Sequence, residues 1–363
     1  MFRRGRKHQD PIVARHMRAF FAQLGRHDRA VPEQVAKRYA SHFWDRAHGT
    51  LRDQDQIASS PFHVGLGVRD GDFHTLTKRV ALVTDSLVLS NHWRGTYHEV
   101  GAYRSDHYGL APEAVMRMVS REHTEGSYGI TTPDLGELGR WITAAEPLLR
   151  AGLVWYLPSY STVRRTEVDG RRWPPVSVRQ KDIVDLFVTG RRAVDASGVN
   201  PFTSRFVRAI LEIDLPFVDG VGLRDFGRIT VDEFDSYRAF RDFARLKFLD
   251  LDQAMDSVQS QRELLRIGLE IRDQVRASHA EMARVRTTRA VAAGGAVIGT
   301  VGAALVAVYG PAIQPALATL GATGGLWGIV HAATGNSVRS LREGTPWYYV
   351  WALTRAAGRN GLR

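Results

Sequence analysis

The sequence predicts an α+β protein that is predominantly helical, with short strands within residues 60–220 and a helical C-terminal half. Apolar residues recur at spacings of three and four along most of the chain, which is typical of amphipathic helices. Runs of β-branched residues are short and confined to the middle of the chain. Near the C-terminus, residues 290–338 carry no Asp, Glu, Lys or Arg and are rich in Gly and Ala, which predicts a terminal apolar helical hairpin.

The predicted order begins with a basic helical N-terminal segment over residues 1–60. Pro11 and Pro32 suit the first turns of two helices. Residues 1–52 carry twelve Lys and Arg against four Asp and Glu, which accounts for +8 of the chain's net +11. This segment could contact an anionic partner, either nucleic acid or an anionic membrane surface. The alternative is a solvated basic surface.

An α+β body is predicted over residues 61–225. Helical spacing favours a helix over residues 132–149, and Gly65–Asp72 is turn-rich. Composition favours a loop over residues 91–109. One strand or a tight pair is predicted at Arg79–Ser90, and single strands are predicted at Leu153–Leu157 and Phe206–Leu215. A hairpin or loop is predicted around Asp169.

Two helices are predicted over residues 226–289. Thr230 and Glu233 have the spacing of a capping box, in which each side chain would bond the other residue's backbone amide. The helix of residues 251–289 has apolar residues along one face, from Leu264 to Val285. That face needs a partner, either the body or another chain.

The apolar module of residues 290–338 divides at Pro311 and Pro315 into two arms of near-membrane-spanning length. Both arms contain more Ala and Gly than Leu or Ile, which favours conditional over permanent insertion. Small residues spaced four apart let helix backbones approach closely and favour a homo-oligomer. The predicted contact glycines are Gly295, Gly299, Gly321, Gly325 and Gly328.

An aromatic and basic tail follows over residues 339–363. Trp347, Tyr348 and Trp351 are amphipathic aromatics of the kind found at membrane interfaces. Arginines flank the apolar module on both sides, so the positive-inside rule keeps both ends cytoplasmic. The expected location is therefore the cytoplasm, peripheral to or inserted in the cytoplasmic membrane.

Several kinds of chemistry are excluded by the composition. The chain has no cysteine, which removes disulfides, thiolate metal sites and cysteine nucleophiles. Gly65 and Gly67 do not extend to a dinucleotide fingerprint, and no P-loop or nucleophile elbow is present. No cofactor is expected.

Two clusters remain as candidate sites. His92, His98 and His107 could bind a metal such as zinc, although their spacing fits no compact motif. Glu212 and Asp214 alternate on the predicted strand, where carboxylates on one face could hold magnesium for phosphodiester cleavage.

The function predicted from these patterns is a membrane-associating, non-enzymatic protein of effector or pore-forming type. Its apolar hairpin would insert into, or anchor to, the cytoplasmic membrane. One alternative is a metal-dependent nuclease-like enzyme that uses Glu212 and Asp214. The other is a soluble interaction module with the hairpin buried in its core.

Overall fold

The computed structural model describes residues 10–44, 62–91, 95–110, 119–168, 171–172, 176–178, 184–196, 200–249, 251, 258–293 and 346–360. It confirms an α+β fold that is predominantly helical. The helices in these ranges are α1 (Pro11–Gln23), α2 (Arg26–Ala30), α3 (Pro32–Trp44), α4 (Phe73–Val80), α5 (Leu135–Ala144), α6 (Glu146–Ala151), α7 (Pro201–Glu212), α8 (Pro216–Asp219), α9 (Leu223–Asp232), α10 (Phe234–Leu249), α11 (Val258–Ala293) and α12 (Pro346–Asn360).

Local signals set several of these helix ends. The Asp10 carboxylate accepts hydrogen bonds from the amides of Ile12 and Val13, and so caps α1. Gly152 adopts the left-handed conformation, with φ of 72°, and ends α6. The proline starts predicted for α1 and α3 are confirmed.

The main sheet has five strands in the order β10-β9-β1-β2-β5. Its strands are β1 (His63–Asp70), β2 (Ser86–Asn91), β5 (Val154–Tyr156), β9 (Leu186–Thr189) and β10 (Arg192–Asp195). Four of these strands, β1, β2, β5 and β9, are parallel. Strand β10 lies at the edge and forms an antiparallel hairpin with β9. The chain moves from β1 through β2 to β5 on one side and returns to place β9 on the other side of β1.

The second sheet is antiparallel and is built on a long hairpin. It contains β3 (Thr96–Leu110), β4 (Val119–Thr132), β6 (Ser159–Val168), β7 (Arg171–Arg172) and β8 (Val176–Val178). At about 3.4 Å per residue, the 15 residues of β3 span roughly 50 Å. Of the hairpin or loop predicted around Asp169, the structure has the hairpin, because β6 pairs with β7 in the antiparallel direction.

The two faces of the main sheet differ because successive side chains alternate along each strand. On one face, which we call the helix face, β1 presents Val64, Leu66 and Val68, all buried. Tyr156 of β5 belongs to this face, and its ring packs against rings of α3, α4 and α5. These contacts make the helix face part of the hydrophobic core.

Buried cations join the helices to one another and to the amino-terminal edge of the sheet. The Arg79 guanidinium is fully buried and donates to the carboxylate of Asp219 at 2.5 Å and to the carbonyl of Ile213 at 2.7 Å. Arg241 and Arg245 both pair with Asp85, at 2.9 and 3.0 Å. These charges have the partners that burial requires.

The structure differs from the sequence prediction in several segments, including Arg79–Ser90, of which residues 79–80 end α4 and residues 86–90 lie in β2. Phe206–Leu215 was predicted as a strand, but it lies mostly in α7. Gly65–Asp72 was predicted as a turn and is mostly β1, and the loop predicted over residues 91–109 contains β3. The capping box is wrong because Thr230 lies inside α9 and bonds Tyr349, while the Glu233 amide donates to Ile229.

The prediction of a membrane-inserting function is also wrong. No helix in the described ranges has both the length and the apolar composition that a membrane span needs. Helix α11, which enters the predicted module, carries charged residues along its length, such as Arg262, Glu263 and Arg266. Burying such charges in hydrocarbon is costly. Residues 294–338 of the hairpin lie outside the described residues.

Candidate functional site

A pair of buried polar residues lies on the second face of the main sheet. His63 is the first residue of β1, and Ser86 is the first residue of β2. The two are partners in the parallel register, so their side chains leave the same face of the sheet side by side. His63 is 9% exposed and Ser86 is 2% exposed.

Neither side chain is hydrogen-bonded within the described part of the chain. Both ring nitrogens of His63 and the Oγ of Ser86 are buried without a partner. Every other described residue with an unsatisfied buried polar atom makes at least one further interaction. Burial lowers the pKa of His63 to about 4, so its imidazole is neutral at physiological pH.

Asp185 adds a carboxylate to the same region. It immediately precedes β9, and its Oδ2 accepts the Gly65 amide at 2.7 Å. Its own amide donates to the Gly65 carbonyl at 2.8 Å, so the two residues are tightly linked across the strands. Burial raises the pKa of Asp185 above its ordinary value.

The middle of this face carries two glycines, both buried. Gly65 and Gly67 alternate with the apolar residues of β1 and share the face of His63. Register places Phe187 of β9 opposite Gly67, Val88 of β2 opposite Gly65, and Trp155 of β5 opposite Val88. We call this surface, with His63, Gly65, Gly67, Ser86, Val88, Trp155 and Phe187, the glycine face.

A cation marks the carboxyl end of the glycine face. The register of β1 against β9 shifts between Val68 and Asp70, and Arg69 is assigned to this face by its contact with Phe187. Its guanidinium carbon lies 5.0 Å from the centroid of the Phe187 ring. Arg69 is exposed, whereas His63, six residues earlier and about 20 Å away along the strand, is buried. The face is therefore neutral and buried at one end and cationic at the other.

The topology places only the carboxyl end of this surface, at Arg69, where ligands bind in open α/β sheets, whereas His63 and Ser86 lie at the amino ends of their strands. The strand order reverses between β1 and β9, which is a topological switch point. Ligands in such sheets bind beyond the carboxyl ends of the strands at a switch point. Strand β1 carries Gly65, Gly67 and Arg69, and its carboxyl end lies at the switch point between β1 and β9.

The structure does not bring the predicted metal histidines together. His98 and His107 both lie on β3, nine residues apart, so their backbones are separated by about 30 Å. His92 lies outside the described residues. Within the described ranges, no group of three or more His, Asp and Glu side chains could hold a metal ion.

The predicted acidic pair, Glu212 and Asp214, is found at the end of α7 and just beyond it. Both side chains are exposed, and Asp214 pairs with Arg272 of α11 at 3.0 Å. They border a shallow groove of ≈ 280 Å³ together with Leu265 and Leu269. The strand geometry that motivated a magnesium site is therefore missing.

The predicted membrane and oligomer contacts divide into two groups. Gly295, Gly299, Gly321, Gly325 and Gly328 lie outside the described residues. The aromatics lie on α12, where the Trp347 ring packs 5.0 Å from that of Phe243 and Tyr348 packs against Trp351 at 5.5 Å. The expected partners and cytoplasmic location stay predictions.

The sequence analysis does not predict His63, Ser86 or Asp185 as site residues. The signal that could have found His63 is the alternation of Val64, Leu66 and Val68 with two glycines, which has the period of a strand. Once β1 is assigned, His63 becomes a polar residue at a buried position. No local pattern pairs it with Ser86, because that pairing depends on the register of two strands.

Comparison with known proteins adds no relative from which a function could be transferred. The chain matches no protein-family model, no curated protein and no solved structure.

Proposed function

We propose that this chain binds a small polar molecule on the glycine face, and that His63 and Ser86 form the hydrogen bonds that orient it. The observation that supports the proposal is the pair of neighbouring, buried and unpartnered polar side chains. Small-molecule sites are mostly apolar with a few convergent polar groups. The glycine face combines aromatic and aliphatic residues with these two polar ones in that way.

The folding free energy of the protein differs between the empty and the occupied site. A buried polar group without a partner costs about 1–3 kcal/mol of folding free energy. Two ring nitrogens and one hydroxyl are unpartnered here. A ligand that pairs with them removes this cost, whereas the empty protein carries it. Sites kept for function often lower stability in this manner.

The chemistry of the pair limits what it can bind. A neutral imidazole offers one donor and one acceptor, and a serine hydroxyl can act as either. Together they match a ligand group that presents a donor and an acceptor on adjacent atoms. A fully ionised carboxylate or phosphate would lack the donor that the imidazole acceptor needs.

The test measures thermal stabilisation by a panel of nucleotides, sugars, amino acids and carboxylic acids. A compound at one hundred times its Kd stabilises the folded state by about 2.7 kcal/mol, which is visible as a higher Tm. We expect at least one compound to raise the Tm of the wild type. The same compound should leave His63→Leu and Ser86→Ala unshifted.

Ser204→Ala is the matched control. Ser204 is also a buried serine, but its Oγ bonds the carboxylate of Asp195. We expect Ser204→Ala to lower the Tm of the empty protein and to keep the ligand response. Ser86→Ala should leave the empty protein as stable as the wild type, or more so. Equal ligand shifts in all variants, or no shift in the wild type, would refute the proposal.

A further inference from the structure

We propose that a second site, separate from the glycine face, lies between α1, α2 and α3 and binds a free α-amino acid with an apolar side chain. The supporting observation is a cavity of ≈ 400 Å³ whose rim holds one carboxylate and one guanidinium. The cavity is larger than the groove beside Leu265 and has the size of a small-molecule site. It is lined by Phe20, Gln23, Leu24, Asp28, Arg38, Ser41 and His42.

The walls of this cavity are held in place by contacts with the core. Arg29 of α2 donates to the Glu146 carboxylate at 3.0 Å and to the Phe21 carbonyl at 3.1 Å. The Phe20 ring of α1 packs 5.3 Å from the Tyr39 ring of α3. A ligand therefore enters a preformed cavity, and little free energy is lost in ordering its walls.

The charges on the rim select the ligand. Asp28 and Arg38 both line the cavity and lie 3.5 Å apart, and the Arg38 side chain is 64% exposed. An exposed ion pair of this kind contributes little to stability, so a ligand can replace it at little cost. Asp28 would repel a simple anion, and Arg38 would repel a simple cation. A zwitterion suits both residues, with its ammonium at Asp28 and its carboxylate at Arg38.

The floor of the cavity is apolar. Phe20 and Leu24 are buried, so they lie below the charged rim. An apolar side chain placed on them is removed from water, which favours binding. The Ser41 hydroxyl donates to the carbonyl of Lys37 at 3.0 Å, and its oxygen can still accept a hydrogen bond from an ammonium. An α-amino acid joins a zwitterion to an apolar group, which matches a charged rim above an apolar floor.

The experiment is a thermal-shift screen of the full chain against the free L-amino acids, followed by isothermal titration of those that raise the Tm. We expect an apolar amino acid of the size of leucine or phenylalanine to bind. Its N-acetyl derivative lacks the ammonium, and its amide lacks the carboxylate. Each derivative should bind at least tenfold more weakly than the free amino acid. These comparisons change the ligand alone, so they do not depend on the folding of a variant.

Arg38→Gln tests one end of the ligand. It should weaken binding of the free amino acid about tenfold, because one charge-assisted contact is lost. It should not weaken binding of the amide, which has no carboxylate for Arg38. Lys37→Gln is the matched control, since Lys37 is an exposed cation one residue away on α3 and outside the cavity lining. That variant should bind both compounds as the wild type does.

His63→Leu distinguishes this site from the proposed function. It should keep the amino-acid binding, because His63 lies at the start of β1 and does not line this cavity. An amino acid whose binding disappears in His63→Leu and persists in Arg38→Gln would overturn this site and support the glycine face instead. The site is also overturned if no amino acid binds, or if the N-acetyl derivative binds as tightly as the free amino acid. Equal effects of Arg38→Gln and Lys37→Gln would overturn it as well.

Discussion

His63 illustrates how the placement of one residue changes its chemistry. The same imidazole that would titrate near pH 6.5 on a surface is held neutral down to a pKa of about 4 at the start of β1. The cause is burial alone, since no charge or hydrogen bond acts on the ring. At the residue scale, the site therefore depends on a side chain placed where it cannot be protonated without loss of stability.

This dependence predicts a specific effect of pH on stability. The unfolded chain binds a proton at His63 below pH 6.5, whereas the folded chain binds it only below about pH 4. The contribution of the neutral ring is therefore complete above pH 6.5 and is lost as the pH falls toward 4. We expect this group to lower the free energy of unfolding by about 2 kcal/mol between pH 7.5 and pH 5.

Urea unfolding of wild type and His63→Leu across that range measures the effect. Other titrating groups are common to both proteins, so the difference between the two curves isolates His63. We expect the curves to diverge, with the wild type losing more stability on acidification. Parallel curves would mean that His63 is hydrated in the folded state.

The sequence contains residue-scale information that is easily misread. His63 begins β1 and Asp185 immediately precedes β9, but their chemical significance arises only from burial and register. The candidates that stood out in the sequence, His98 and Asp214, owe their prominence to local density of polar residues. The structure places the first on a long hairpin and the second in a surface ion pair.

At the scale of elements, helices α3 and α5 approach so closely that their contact requires a glycine. A Cβ on Gly139 would lie 1.8 Å from the carbonyl oxygen of Pro32 and 2.4 Å from its carbonyl carbon. Both obstructing atoms are backbone, so no side-chain rotation can relieve the overlap. The spacing of this helix pair therefore depends on a single missing methyl group.

Gly139→Ala should lower the free energy of unfolding by about 1–3 kcal/mol, because the helices must separate. Gly358→Ala is the matched control, since Gly358 is also helical but a Cβ there would meet nothing within 4 Å. That control should be neutral or stabilising by up to about 1 kcal/mol, because alanine favours helix over glycine. Equal effects of the two substitutions in chemical denaturation would show that α3 and α5 are not in close contact.

Helix ends marked by proline or glycine were predicted correctly, whereas β3, which is defined by its pairing with β4, was not. Pro11, Pro32 and Gly152 mark helix ends through their own backbone preferences, and the structure confirms them. The sequence predicts a loop where the structure has β3, because the partner of this strand, β4, begins only nine residues after β3 ends. Composition within β3 does not reveal that pairing.

Phe206–Leu215 shows the ambiguity of a short apolar run. Its composition suits a buried strand as well as a buried helix. The decisive feature lies before it, where the Asn200 side chain accepts the Phe202 amide and Pro201 occupies the first turn. This start signal indicates a helix, and Glu212 then lies at the end of a helix rather than on a strand.

At the scale of the whole molecule, helix α12 completes the core of the C-terminal half. The Tyr349 side chain is fully buried, its hydroxyl lies 2.8 Å from that of Thr230, and its ring packs 5.5 Å from that of Tyr237. Burial raises its pKa well above the ordinary value for tyrosine. The aromatic tail that suggested a membrane interface is thus bound to residues more than one hundred positions earlier.

Tyr349→Ala should therefore lower the free energy of unfolding by about 3–5 kcal/mol, as expected for the loss of a large buried ring. The adjacent Tyr348 is only half-buried, so Tyr348→Ala should cost much less, about 1 kcal/mol. Chemical denaturation of the two variants beside the wild type checks this. A similar loss in both would indicate that α12 contributes helix formation rather than this specific contact.

Contacts between residues far apart in the sequence affect how the chain folds during its synthesis on the ribosome. The Tyr39 hydroxyl bonds the backbone of Tyr156, which is made 117 residues later. At about 5–20 residues per second, the N-terminal helices wait roughly 6–23 s for that partner. Tyr349 closes the core much later still. The nascent chain therefore exposes apolar helix faces for most of its translation, and its yield in cells should depend on chaperones that bind such surfaces.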